Sequence, residues 1–186
     1  MTDQKLVSNI KTKNMDTISF DKLLLKTAFC CMASDGHIDK REVALINSLC
    51  EKSPIFENFN FHEEINQLVV KINNGGKDFI KYYFELLNNA NLSQEEELIL
   101  IDFAIHTIKA DEQVEYAEIK FFKNIRHRLR VSDEKILEKY PDIELFLEQD
   151  IKTESYLDKI MHNYLDIAEI PAFDMITHLE IKDDNE

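Results

Sequence analysis

The stretch Ala33-Ser34-Asp35-Gly36-His37-Ile38-Asp39-Lys40-Arg41-Glu42 lies between two apolar segments and decides how both are read. Gly36 is placed to end a helix in the left-handed region, where a residue without a Cβ meets no penalty. Asp39 is a favoured N-cap, and Glu42 follows at the three-residue spacing of a capping box. Ile38, just ahead of that cap, can plug the corner between two crossing helices. The stretch therefore predicts two helices joined by a tight acidic bend.

Both flanks agree. Upstream, from Ser19 to Ser34, Leu24, Leu25, Ala28, Cys31 and Met32 recur at helical spacing. Nearly every turn there is apolar, as expected of a central helix. Downstream, Val43, Ile46, Leu49 and Cys50 form one stripe from Asp39 to about Lys52, and Pro54 stops it. A diluted copy of the unit recurs 76 positions later, as Lys109 to Glu118. Asp35 matches Asp111, Ile38 matches Val114, Asp39 matches Glu115 and Glu42 matches Glu118. On the flanking helices Leu24 matches Leu100, Ala28 matches Ala104, Val43 matches Ile119 and Leu49 matches Ile125. Two readings follow: a duplicated ligand site, or a duplicated helical hairpin whose bend residues only cap helices.

The rest of the chain is also helical in pattern. Ile65, Leu68, Val69 and Ile72 give one amphipathic helix, ended by Asn73-Asn74-Gly75-Gly76. Phe79, Tyr83, Leu86, Leu87 and Ala90 give the next. Ser93 and Glu96 form a second capping box ahead of Leu98, Ile101, Ile105 and Ile108. Phe121, Phe122, Ile125 and Leu129 mark a helix after Glu115, and Ser132 caps a short one to Tyr140. A short piece begins at Pro141, and Tyr156, Leu157, Ile160, Met161, Tyr164 and Leu165 suggest a last amphipathic helix. Residues 171–181 fit neither period, and no segment alternates with the period of a strand.

Composition bounds the function. Acidic residues outnumber basic ones 36 to 22, a net charge of -14, which argues against binding a nucleic-acid backbone. Only 3 Gly and 3 Pro leave few helix breakers. Cys30, Cys31 and Cys50 form no CxxC pair and are odd in number, so we read free thiols and a reducing, cytoplasmic setting. No apolar run approaches the roughly 18 residues that span a membrane, so no insertion is expected.

The apolar helix, the Ala33–Glu42 motif and the second apolar helix together resemble the tellurite-resistance TerB-like family. The second copy, Ile108 to Glu118, and the break Leu129-Arg130-Val131-Ser132 fall where that family has its second acidic motif and the turn after it. The resemblance covers about residues 19–140. It implies an all-helical, bacterial, mostly cytoplasmic domain, also found attached to DnaJ-like and other stress-related modules. It further implies divalent cations at the acidic motifs. The second copy departs from the pattern, with Glu112 in place of Gly36 and Glu115, a poor N-cap, in place of Asp39.

Oxygen ligands suit Ca²⁺ or Mg²⁺, and the candidate set is Asp35, Asp39, Glu42, Asp111, Glu115 and Glu118. Such a site requires both bends to meet. It is not an EF-hand, because the twelfth position of a loop begun at Asp35 is Ile46. Asp102 with His106, and Asp158 with His162, share helix faces and read as surface ion pairs. Cys30 and Cys31 read as buried small hydrophobes. The basic run Lys120, Lys123, Arg126, His127, Arg128 and Arg130 reads as a solvated face or a dock for an acidic partner. No nucleophile elbow, P-loop, HExxH or paired ExxH motif is present.

These observations lead to an all-α, single-domain helical bundle of about seven or more helices, built on a duplicated helix–acidic bend–helix unit. Residues 1–18 are a lead-in, 19–140 the domain, and 141–186 a helical extension with an acidic tail. The expected role is a non-catalytic module for a protein partner or a divalent cation. The competing reading is a metal-dependent hydrolase with a carboxylate-rich site.

Overall fold

A computed structural model describes residues 18–57, 59–110, 114–147 and 170–176. Eight α-helices occur among the described residues, and no strand. They are α1 (Phe20–Met32), α2 (Lys40–Lys52), α3 (Phe61–Gly75), α4 (Lys77–Asn89), α5 (Gln94–Ile108), α6 (Tyr116–Arg126), α7 (Asp133–Lys139) and α8 (Glu144–Leu147). Residues 1–17 of the lead-in and the expected helix near Tyr156 lie outside the described residues, as does the pair Asp158 and His162.

The bundle is built around α1. Every residue from Leu23 to Met32 is buried, Lys26 and Thr27 included. Such a helix is covered on all sides, and α2, α3, α4, α5 and α6 all pack on it. Its most extensive partner is α5, the helix that matches it in the repeat. The second helix of each hairpin reciprocates: α2 packs on α5, and α6 packs on α1. The two copies thus interlock, and the matched pairs Leu24 with Leu100 and Ala28 with Ala104 are fully buried.

Two polar side chains inside this core, Tyr83 and Thr27, meet each other. Tyr83 Oη donates to Thr27 Oγ1 at 3.0 Å, and Thr27 Oγ1 donates to the Leu23 carbonyl at 2.9 Å. Lys26 is 5% exposed, with Nζ 5.4 Å from the Phe79 ring centre and 5.1 Å from that of Tyr82. Burial lowers its pKa. Between α3 and α4 the only linking residue is Gly76, whose φ of 49° and ψ of -124° would strain any side chain.

The described part of the C-terminal extension shares this core. Ile143 is fully buried, the Phe146 ring lies 5.7 Å from that of Phe122, and Phe173 is buried. Residues 170–176, which fit neither sequence period, form neither helix nor strand and lie on α3.

Candidate functional site

The first bend forms as its residues dictate. A 3-10 turn, Ala33–Asp35, follows α1, and Gly36 takes φ 88°. The exposed Asp35 accepts the His37 N–H at 2.8 Å, closing a local turn. Asp39 caps α2, accepting the Arg41 N–H at 2.7 Å, and Glu42 accepts the Asp39 N–H at 2.8 Å. The Arg41 side chain also bonds Asp39, and this holds the aspartate pKa below its ordinary value.

The second bend keeps the capping box of this device. Glu118 accepts the Glu115 N–H at 2.7 Å at the start of α6. The sequence suggested that Glu115 weakens this cap. The structure corrects that, because the box is complete and the Glu115 carboxylate faces the Glu118 backbone N–H. Asp111 lies outside the described residues.

The bends meet through their buried sides. The 3-10 turn after α1 packs on α6, and both Glu42 and Glu118 are buried. The Cys31 thiol is pushed well up, first by burial, then by Cys30 and by the carboxylates of Glu118 and Glu42. Asp35 and Glu115 face solvent instead. Among the described residues no group of three or more His, Cys, Asp or Glu side chains is arranged to hold an ion. Asp35, Asp39, Glu42 and Glu118 all serve local backbone N–H groups.

A cleft of about 470 Å³ opens beside the first bend. His37, Ile38, Lys40 and Val43 form one wall, and residues 172–176 form the other. The second wall is anchored on α3 by two asparagines. Asn73 donates to the Phe173 carbonyl and accepts the Phe173 N–H, both at 2.8 Å. Asn66 donates to the Ile176 carbonyl at 3.0 Å and accepts the Ile176 N–H at 2.8 Å. Sequence reading missed these residues. The available signals were two asparagines seven apart beside the α3 seam, and Ile170, Phe173 and Ile176 at a period of three.

The basic run is only in part the solvated face that its composition suggested, since Arg130 is exposed while the others are partly or fully buried. Arg126 pairs with Asp133 at 2.7 Å, Arg128 lies over the Phe84 ring at 4.2 Å, and Lys123 is buried. Arg130 reaches Glu97, which is 3% exposed and also accepts the Arg130 and Val131 N–H groups at 2.8 and 2.7 Å. Long stems pack along apolar surface while the cations tie down the turn after α6. His106 and Asp102 form the expected ion-pair geometry at 3.7 Å, with Lys139 also on Asp102. Cys30, Cys31 and Cys50 are buried, with thiols pushed up by burial, that of Cys50 to about 12.

No family model, curated protein or solved structure matches the chain. No helix among the described residues is long and apolar enough to cross a membrane.

Proposed function

We propose that the chain is a non-catalytic helical module of TerB-like character that docks a protein partner at its first bend. The motif resemblance extends this to a role in a bacterial, cytoplasmic stress response. The supporting observation is the cleft of about 470 Å³, whose far wall is itself a short peptide segment of the same chain. The bend carboxylates support the same reading, because those with assigned partners cap helices and close turns. A cleft with apolar walls and a few convergent polar groups is the usual form of a binding site.

Two measurements test this. Selection of displayed random peptides on the full chain should return a consensus whose binding is lost in Lys40→Glu, a change at an exposed cleft position. A selection that returns no consensus would defeat the docking role. Calorimetric titration with Ca²⁺ and Mg²⁺ should give no saturable heat. Heat present in the wild type and absent in an Asp35→Asn, Asp111→Asn variant would restore the cation reading.

A further inference from the structure

Resting on that docking role, the geometry points to the class of ligand: an extended peptide of a partner protein, laid antiparallel on α3, for which residues 170–176 are a tethered stand-in.

Each asparagine on α3 treats its target alike. One side-chain amide donates to a residue's carbonyl and accepts the same residue's N–H. An Asn amide has the donor and acceptor to do this, and the pairing ignores the side chain of the residue it grips. A helical segment has spent those backbone groups internally, so the grip selects extended chain. The spacing makes the same selection. Asn66 and Asn73 are seven residues apart, about 10.5 Å along a helix. Phe173 and Ile176 are three apart, and three residues span about 10 Å only when nearly fully extended. Phe173 sits on Asn73 and Ile176 on Asn66, so the segment runs opposite to α3.

Side chains supply the selectivity that the amides lack. Ile170, Phe173 and Ile176 turn toward the core, with Phe173 buried among them, while Pro171, Ala172, Asp174 and Met175 remain exposed. The fitting ligand is therefore an aliphatic residue, two free positions, an aromatic, two free positions and an aliphatic. A second cleft, of about 560 Å³, lies beside Met175 against His62, Gln67, Val70 and Lys71. It gives room for a larger side chain at that free position. Because the stand-in belongs to the same chain, it competes at an effective concentration on the order of millimolar. A partner peptide enters when that stand-in is loosened, which makes residues 170–176 an inhibitory latch as well as a template.

The test uses a labelled synthetic peptide copying residues 168–178 and fluorescence anisotropy on full-length proteins. The wild type should bind it weakly. Phe173→Asp and Ile176→Ala loosen the latch without touching α3, and should bind at least tenfold more tightly. Adding Asn66→Asp and Asn73→Asp keeps two acceptors and removes both donors, and should return binding to the wild-type level. A peptide with its Phe moved by two positions should not bind. Circular dichroism confirms that each variant is folded. Latch variants that bind no better than wild type, or binding indifferent to the asparagines, would overturn the assignment. So would sedimentation showing latch variants that dimerise and exclude the peptide, since a second copy would then own the seat. Selected peptides that need Lys40 but not Asn66 would leave the docking role standing and remove this ligand class.

Discussion

Asp39 and Glu42 cap α2 as their spacing foretold, and Gly36 sits in the left-handed region for the reason its position suggested. Such features are legible because a cap involves only neighbours in sequence. What Glu42 and Glu118 face could not be read, since their meeting near Cys31 depends on helices far apart in the chain. Asp39→Ala should cost about 1 kcal/mol in denaturant unfolding, the usual loss of an N-cap. The sign of its pH dependence follows from Arg41, which holds the folded pKa below the ordinary 3.8. That stabilisation is present above pH 3.8 and is lost as pH falls through the folded value, so wild type and variant should converge in acid. Equal stability at pH 7 would show that the cap contributes nothing. The three buried thiols should be silent to a thiol reagent in the native protein and all react once it is denatured. Rapid native labelling of Cys30 or Cys31 would contradict the packing of α1.

Helices were readable to within a residue or two where an apolar stripe and a cap coincide, as in α2 and α5. The segment 170–176 was not, because neither helical nor strand periodicity describes a chain whose backbone bonds go to side chains of another element. The turn after α6 was misread for a related reason. A run of cations reads as a wet face, yet Glu97 on α5 gathers that turn from 33 and 34 positions away. Glu97→Ala strands the Arg130 and Val131 N–H groups. It should cost ~1–3 kcal/mol for a buried donor left unmet, measured by urea unfolding. A loss below a few tenths would mean that water replaces the carboxylate freely.

At the scale of the whole molecule the repeat was visible, but its meaning lay in how the copies interlock. Because α1 and α5 pack on each other and each receives the partner hairpin's second helix, neither hairpin owns a complete core. Far-UV circular dichroism and tyrosine fluorescence should therefore report one coincident urea transition. Separate transitions would mean that the hairpins are independent units. The latch has a different place in time. Its contacts with α3 join residues 100 and 110 positions apart. Once α6 is made, at Arg126, a ribosome adding ~5–20 residues per second needs roughly 2–9 s to reach the segment that covers the α3 asparagines. Every newly made chain thus passes through an interval in which the seat is formed and its stand-in does not yet exist, and an extended segment met then would compete with no tethered rival.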